Sequence, residues 1–413
     1  MDNVTHSLAG LLLAEAAVRL RSRRTGAGAS GMGIVTTASL LAANLPDADL
    51  FYTGAGGDRL AYMLHHRGYT HTVIGVVIGA ILIWGLTIPV LRWRSRQWMV
   101  RREAGWLLAL LAVSTVSHLV LDWTNSYGVH PFWPLHDRWY YGDSVFIVEP
   151  WLWVVSVPAL VAANRARAAQ AMLSLVLLAG VVLAWRVDLV STGAALSLTA
   201  GAALSIGLAF LLGRSGRVVA AITGWIAVTL VMALGSAKAK ADVLAAARAS
   251  DGNAEVLDVV VSPLPANAIC MAVIAVERSG SVYRISTARA SAIPSITDAA
   301  RCATRSEAGS LFRASPRPST RAVHWDYEWS APLAELSTLA RESCPALAAL
   351  RFIRVPVWQT ATAETLLLGD ARYGGGSGSS FSDVRVARQT SVCPRAVPPW
   401  TPPRAELLGL STR

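Results

Sequence analysis

The sequence predicts a polytopic α-helical membrane domain followed by a C-terminal soluble domain of α+β or mostly β structure. Hydrophobic residues make up 53% of the 413 residues and charged residues only 15%, a composition typical of a membrane protein. About eight apolar segments precede residue 236, and all 4 cysteines follow it. The boundary between the two predicted parts accordingly lies near residue 236.

The apolar segments differ in length. A helix needs about 20 apolar residues to cross a bilayer, and segments 4–20 and 33–45 fall short, so we expect them to be tilted or only partly inserted. No cleavable signal peptide is expected, because no basic stretch precedes the first segment. The stronger predicted spans are 72–91, 105–123, 150–163 continuing back to 146, 168–185, 191–213 and 218–235.

The arginines predict the orientation of these spans. Clusters at 19–24, 92–102, 165–167 and 214–217 occupy alternate loops, which the positive-inside rule places in the cytoplasm. The opposite loops hold fewer arginines. Lys238 and Lys240 are an exception, because they are basic residues on the side predicted to lie outside the cytoplasm. This topology places the N-terminus and everything after Gly235 outside the cytoplasm, and it explains the net charge of +11 without a nucleic-acid partner.

The cysteines give independent support for that topology. Two disulfides in an oxidising compartment are expected for an even number of cysteines confined to one predicted domain. Three pairings are possible, and the alternative is a set of unpaired thiols in a cytoplasmic tail. The cysteines are Cys270, Cys302, Cys344 and Cys393.

The C-terminal part has the pattern of a small soluble domain. Segments 256–261, 269–276 and 282–287 predict strands, 333–341 predicts a helix, and 352–359 predicts an extended segment. The stretch 374–380, "GGGSGSS", predicts a flexible loop. No nucleophile motif is evident, and we expect His324 to be a surface or packing residue.

Histidines and carboxylates concentrate in the N-terminal part, where seven of the 8 histidines lie between residues 6 and 136. Asp2 with His6, and His118 with Asp122, are four apart and would share a helix face. "NLPDAD" ends the second segment, where an extended chain would point Asp47 and Asp49 the same way. "HHRGYTH" (65–71) precedes the third segment, so all four motifs are predicted at the outer membrane face.

Imidazole nitrogens and carboxylate oxygens are the ligands that zinc and similar divalent metals accept. The four motifs are predicted at the same depth in the membrane, which favours a metal site. Ionisable side chains at a membrane are usually functional when a second ionisable group is predicted close by. The alternatives are that Asp2 only caps a helix and that interfacial histidines have no function. His66 is favoured over His65, and His130 and His136 are weaker candidates because their loop could be an aromatic belt element.

Four stretches, "DNVTHSLAG", "NLPDAD", "HRGYTH" and "SHLVLDWTNSYG", resemble successive signatures of the YdjM-like membrane-bound metal-dependent hydrolases. That family shares a motif style with zinc-dependent phospholipase C and P1-type nucleases. The resemblance covers residues 1–155, and "SPLPAN" and "LGDARYG" resemble weaker features of the C-terminal region. In "FIVEP", Glu149 stands where an aspartate is expected. The resemblance implies that the metal site is held by Asp2, His6, Asp47, Asp49, His66, His71, His118 and Asp122.

These residues suggest a division of roles. One to three divalent ions, most plausibly zinc, would be bound by Asp2, His6, Asp47, His66, His71, His118 and Asp122, with Asp122 or Asp47 able to bridge two ions. Asp49 is expected to orient ligands or act as general base, and Arg67 to contact an anionic substrate group. A metal-activated water would then attack an ester or phosphodiester, and the location at the bilayer favours a lipid or lipid-linked substrate.

The predicted organisation is 1–155 for the metal-site hydrolase region, 156–236 for additional transmembrane helices, and 237–413 for an extracytoplasmic domain. The expected location is the inner (plasma) membrane. A metal-binding transporter is an alternative, although the ligands do not continue to the middle of the bilayer, where transport sites usually lie. A non-catalytic scaffold with a structural metal is the other alternative, and an open coordination position would argue against it.

Overall fold

The structure, a computed structural model, describes residues 1–25, 32–53, 58–95, 101–304 and 311–409. Its first part is helical, and its second part contains two antiparallel sheets with helices. The predicted fold class is therefore confirmed.

The first helical layer brings the motif-bearing segments together. Its helices are α1 (Asn3–Thr25), α2 (Met32–Asn44), α3 (Asp49–Thr53), α4 (Arg59–His65), α5 (Val73–Ser95) and α6 (Arg101–Trp123). Helix α1 packs against α2 and α6, and α2 also packs against α5. Ser39 on α2 donates to the Gly10 carbonyl (2.8 Å) and contacts Ser114 on α6 (2.8 Å). Helices α1, α2 and α6 thus meet about one turn from His6 on α1 and His118 on α6.

The second helical layer forms around one short helix. Helix α7 (Pro150–Ala163) packs against α8 (Arg167–Arg186), α9 (Thr192–Leu211) and α10 (Arg214–Ser250). Because α10 is 37 residues long, it continues beyond the apolar stretch and packs on the first sheet of the C-terminal part. The predicted boundary at 236/237 falls inside this helix.

Five helices of the described chain are long and apolar enough to cross a membrane. They correspond to five of the six stronger predicted spans: Val73–Arg94, Arg101–Trp123, Arg167–Arg186, Thr192–Leu211 and Arg214–Ser250. Helix α7 is apolar but shorter. The two weak segments form α1 and α2, whose tilt or partial insertion stays a prediction.

The basic residues lie at the ends of the helices away from the histidines. Arg92 and Arg94 end α5, whereas His71 precedes its first turn; Arg101 begins α6, whereas His118 lies near its end. The predicted member Arg96 lies outside the described residues. Lys238 and Lys240, the exceptions to the predicted charge distribution, form ion pairs with Asp242 and Asp258. Local ion pairing therefore explains their position.

The C-terminal part contains two sheets. The first has the order β1-β2-β3-β5-β4, and the second β6-β7-β8. A turn at Gly280, whose φ is +58°, joins β2 to β3, and these strands contain the predicted strand segments 269–276 and 282–287. The elements are β1 (Glu255–Leu264), β2 (Asn267–Ser279), β3 (Val282–Ser291), β4 (Arg313–Ala314), β5 (Val323–Pro332), α11 (Leu333–Glu342), α12 (Cys344–Leu350), β6 (Pro356–Thr360), β7 (Thr365–Asp370) and β8 (Val384–Ala387).

The cysteines form two disulfides. Cys270 pairs with Cys302, and Cys344 pairs with Cys393, which selects one of the three pairings that the sequence allows. The first links β2 to the segment that follows β3, and the second links the start of α12 to the chain after β8.

The C-terminal domain packs on the end of the bundle that carries the histidines. Trp400 donates its indole N–H to the Leu64 carbonyl at 3.0 Å. Trp139 donates in the other direction, to the Arg351 carbonyl at 2.6 Å. The predicted flexible loop 374–380 is tied down, because the Asp383 carboxylate accepts from the backbone of Gly376 and Gly378. Arg59 of α4 also donates to the Gly378 carbonyl (3.3 Å).

Candidate metal centre

Two overlapping groups of buried or nearly buried side chains can hold a metal ion. Asp47, His71, His118 and Asp122 form the first, and Asp47, Asp49 and His66 form the second. Within each group the ligand atoms lie within 4.8 Å of one another. Asp47 belongs to both groups, so its two oxygens could serve two ions.

The first group converges on a small volume. His71 Nε2 and His118 Nε2 are 3.1 Å apart. Asp122 Oδ2 lies 3.0 Å from the former and 3.4 Å from the latter. Asp47 Oδ1 is 3.4 and 3.5 Å from the same two nitrogens. Two nitrogens and two oxygens from three separate stretches of the chain thus surround one point.

Hydrogen bonds elsewhere on both rings fix which nitrogen is free. His118 Nδ1 lies 2.7 Å from the Ala43 carbonyl, so it must donate and Nε2 carries the lone pair. Thr70 Oγ1 donates to Asp49 (3.0 Å), and it therefore accepts from His71 Nδ1 (3.0 Å). In the neutral rings, both Nε2 lone pairs would face each other, which is unfavourable unless a cation lies between them.

The surrounding charge leads to the same conclusion. Burial on its own lowers the pKa of His71, but the carboxylates of Asp122, Asp47 and Asp49 outweigh it and raise that pKa to about 10. Within the described residues, no donor is oriented to hydrogen-bond Asp122 Oδ2. The arrangement therefore favours a positive charge at this point, and the donor set fits a divalent metal.

Asp49 orients two histidines. Its carboxylate contacts His66 Nδ1 at 3.0 Å and lies 3.4 Å from His71 Nδ1. It also accepts from the Arg67 backbone N–H at 2.9 Å. Burial raises the pKa of Asp49, but His66 and His71 beside it hold that pKa well below its usual range. A carboxylate on the far nitrogen of a ligating histidine is the usual way of fixing the ring.

Local backbone structure brings these residues inward. Asp47 lies in a 3-10 helix, Leu45–Ala48, and Asp49 begins α3. The chain at "NLPDAD" is therefore not extended, so the condition under which Asp47 and Asp49 would point the same way is not met; Pro46 at the first turn favours the helical conformation instead. A second 3-10 helix, Tyr69–His71, sits against α5 at Gly75, where a Cβ atom would lie 2.3 Å from the Tyr69 carbonyl oxygen.

Arg67 is part of the centre, buried to 2% exposure. Its backbone has a left-handed φ of 58°. The guanidinium donates to Asp122 Oδ1 and to Asn125 Oδ1, both at 2.9 Å. Its contact with substrate stays a prediction, whereas its contact with Asp122 holds that ligand in place.

Asp2 and His6, predicted to act together, have different roles in the structure. The His6 ring stacks on His118 at 3.7 Å between centroids, and its Nε2 lies 3.3 Å from Asp122 Oδ1. Neither of its nitrogens has a hydrogen-bond partner in the described chain, so His6 remains available to an ion. Asp2 instead accepts from the Thr5 backbone and hydroxyl (2.9 and 2.6 Å). It caps α1 and enters neither ligand group; the Met1 amino group, not Asp2, contacts Asp122.

The weaker candidates lie outside both groups. His65 is edge-on to Tyr52, and His130 packs between Trp139 and Trp400. His136 contacts the Tyr140 hydroxyl at 3.1 Å. Glu149 caps α7 by accepting from Trp151 and also accepts from the Ala266 backbone, so its carboxylate joins the bundle to the β1–β2 turn.

Sequence reasoning missed the aromatic side of the centre. Tyr62 stacks on His66 at 4.9 Å between centroids, and Tyr127 meets the same ring edge-on at 5.5 Å. Burial raises the pKa of Tyr62 to about 12, with nearby Tyr373, Asp49 and Asp47 adding to the effect, so the phenol stays protonated. Tyr127 lies in "SHLVLDWTNSYG" and Tyr373 in "LGDARYG", two motifs of the family resemblance. The search for metal ligands in the sequence covers histidines and carboxylates and passes over these tyrosines.

Comparison with known proteins identifies the N-terminal region. Residues 1–192 match the model of the family described as "YdjM inner membrane protein". This region belongs to the YdjM family. A further match is "Uncharacterized protein YfhP" of Bacillus subtilis (strain 168), 26% identical over 164 residues. That match covers 39% of this chain and 45% of YfhP, less than half of that relative's length. No solved structure gives a significant match.

The YdjM region contains every residue of the two ligand groups and ends before the C-terminal domain. The region that matches the YdjM family thus contains a buried His/Asp cluster able to hold a metal, and the described chain has 5 candidate membrane spans. The C-terminal domain, with its two disulfides, lies beyond the family match.

Proposed function

We propose that this protein is a membrane-bound metal-dependent hydrolase that cleaves an ester or phosphodiester. The observation that carries the proposal is the convergence of His71 Nε2, His118 Nε2, Asp47 and Asp122 on one buried point. A divalent metal, most plausibly zinc, would supply Lewis-acid activation of water and of the scissile group.

The protein's own residues have defined tasks in this proposal. Asp49 orients His66 and His71, and its engagement with three donors favours this positioning role over that of a general base. Arg67 holds Asp122, and the Ala43 carbonyl holds His118 in the tautomer that leaves Nε2 free. His6, unpartnered within the described chain, would complete the ligand set beside Asp122.

We propose a lipid or lipid-linked substrate, since the ligands lie where α5 begins and α6 ends, two helices able to cross a membrane. We also place the centre and the C-terminal domain outside the cytoplasm. Two disulfides and the position of the arginine clusters at the far helix ends support this side. An alkaline phosphatase reporter fused after Ser250 should be active; activity of a cytoplasmic reporter at the same position would contradict the placement.

The central experiment measures metal and hydrolysis together. Detergent-purified protein should contain a divalent metal and hydrolyse a generic phosphodiester or a phospholipid. H71A and H118A should each lose both the metal and the hydrolysis. H324A is the matched control, because His324 is partly exposed on β5 and its contact is with Asp326. Full activity in H71A or H118A would show that the site assignment is wrong.

A structural metal is a second candidate, favoured by one observation. All four members of the first group are buried, and structural sites are characteristically closed by four protein ligands. Metal that is retained without hydrolysis of any ester would support this candidate. Metal-dependent turnover would exclude it.

A further inference from the structure

Three tyrosines from distant parts of the chain meet beside the candidate metal centre. Tyr62 lies on α4, Tyr127 follows α6, and Tyr373 follows β7 in the C-terminal domain. The rings of Tyr127 and Tyr373 are 6.3 Å apart. Phe381 connects the set, with centroid distances of 5.8 Å to Tyr62 and 4.8 Å to Tyr373.

This aromatic set is continuous with the ligand groups. Tyr62 stacks on His66, and Tyr127 meets the same ring edge-on. The Arg67 guanidinium carbon lies 4.6 Å from the centroid of the Tyr127 ring. Arg67 in turn holds Asp122. The phenols therefore form the side of the metal centre that faces the C-terminal domain.

Two of the hydroxyls are buried without a partner. Tyr127 is 5% exposed, and the hydroxyls of Tyr127 and Tyr373 have no hydrogen-bond partner among the described residues. Arg67 Nε is also buried and unpartnered within the same ranges. Buried donors are normally satisfied, because leaving one unpaired is costly. Three unpaired donors in one neighbourhood indicate a ligand rich in acceptor oxygens.

The C-terminal domain holds Tyr373 in place. Tyr373 ends a short 3-10 helix, Ala371–Tyr373, which is capped by Asp370. Arg372 donates to Asp370 (2.7 Å) and reaches back to the backbone carbonyls of Ser126 and Tyr127. The domain and the membrane region are thus joined next to the phenols, which presents Tyr373 in a defined position.

We propose that Tyr62, Tyr127 and Tyr373 form, with Arg67, a subsite that binds the phosphoryl group of the substrate beside the metal centre. The protonated phenols and the guanidinium donate hydrogen bonds to phosphoryl oxygens, and the C-terminal domain supplies one of the donors. This inference rests on the proposed function, and it names the chemical group that the hydrolase recognises.

The test measures binding of inorganic phosphate to full-length, zinc-loaded protein in detergent by isothermal titration calorimetry. Y373F and Y127F each remove one hydroxyl and keep the ring, so they should weaken phosphate binding about tenfold or more, the effect of losing a hydrogen bond to a charged group. Zinc content, measured in the same samples, should not change.

Y283F is the matched control. Tyr283 lies on β3 in the same domain, its hydroxyl is likewise buried without a partner in the described chain, and its ring contacts Trp329 and Trp358. It should bind phosphate as the unmodified protein does. A comparable loss in Y283F would show that the domain is generally perturbed and would overturn the specific role of Tyr373.

Other outcomes also decide the matter. Undetectable phosphate binding, or unchanged affinity in Y373F and Y127F, overturns the subsite, as does acetate binding of equal strength with the same dependence on the tyrosines. Tyrosine-dependent phosphate binding without hydrolysis of any ester would refute the proposed function alone. Hydrolysis with normal phosphate binding in Y373F and Y127F would refute the subsite alone.

Discussion

Two regions of this molecule bury several charges each, and they balance those charges differently. At the junction between the bundle and the C-terminal domain, Asp143, Asp258 and Asp370 meet three guanidiniums. Arg354 contacts Asp143 (2.8 Å) and Asp258 (2.9 Å), Arg404 contacts Asp258 (3.3 Å), and Arg372 contacts Asp370 (2.7 Å). In the described chain, each of these carboxylates has an arginine.

The candidate metal centre lacks that balance. Asp47, Asp49 and Asp122 meet one described guanidinium, that of Arg67, and the Met1 amino group. Here Asp47 and Asp122 face the imidazole rings of His71 and His118, whereas the carboxylates at the junction face guanidinium groups. Carboxylates matched by arginines form ion pairs at the junction, whereas carboxylates that face imidazoles in the candidate metal centre leave a place for a cation.

The largest effect is expected from removing an arginine at the junction. R354M leaves the buried Asp143 without its arginine and leaves Arg404 as the only described arginine at Asp258, which should cost about 3–5 kcal/mol of unfolding free energy. Denaturant unfolding followed by tryptophan fluorescence measures it. R278M is the control, since Arg278 pairs with the exposed Glu255 and should cost less than about 1 kcal/mol. Loss of bound metal in folded R354M would break the distinction between the regions.

Removing a disulfide should loosen the C-terminal domain without altering either set of charges. The double variant C344S/C393S opens a link between residues 49 apart and should cost about 2–4 kcal/mol. Thermal unfolding in detergent checks the loss. Metal content of the folded fraction should stay at its original value; a fall would mean that the domain itself contributes to holding the metal.

A smaller effect is expected at the metal centre from D49N. The amide keeps the size of the side chain but weakens its hold on His66 and His71, so metal affinity should fall about 10- to 100-fold. Competition with a zinc chelator measures it. D58N is the control, because Asp58 caps α4 by accepting from Leu60 and an asparagine caps equally well. Equal affinity in D49N and D58N would rule out the orienting role.

The smallest effect is a dependence of junction stability on pH. Burial raises the pKa of Asp258, but Arg354 and Arg404 outweigh it and lower that pKa below its ordinary value. Because the folded-state pKa is depressed, the stabilisation is present above the unfolded-state value of about 3.9 and is lost as pH falls below it. Unfolding midpoints from pH 5 to pH 3 should fall more in the unmodified protein than in R354M. Parallel curves would contradict this origin of the shift.

The sequence predicted the elements well where the pattern is periodic or the spacing is fixed. The hairpin of β2 and β3 and helix α11 follow from alternation, a turn glycine and helical spacing. The pair His118 and Asp122 lies on one face of α6, as a spacing of four requires. Asp2 and His6 have the same spacing, yet Asp2 serves its own helix end, because capping competes with ligation for the same oxygens.

Other features depend on contacts distant in the sequence, which spacing cannot reveal. Tyr373 lies beside the candidate centre next to Arg372, which donates to the Ser126 carbonyl 246 positions away. The disulfide pairing likewise depends on distant contacts, since the two bridges join residues 32 and 49 positions apart. The 3-10 conformation at Asp47 is not evident from the sequence, because a proline that follows one helix can precede either an extended segment or a 3-10 turn.

Helix α10 has a consequence for how the chain is made. Ala239, Val243 and Ala247, past its apolar stretch, pack in one core with Val259 and other residues of the first sheet. They precede every strand in the sequence, so this helical face is synthesised before β1. Part of the core of the first sheet therefore belongs to a helix that continues from the helical region, and a fragment that starts at residue 251 would expose the apolar face of the sheet that α10 covers.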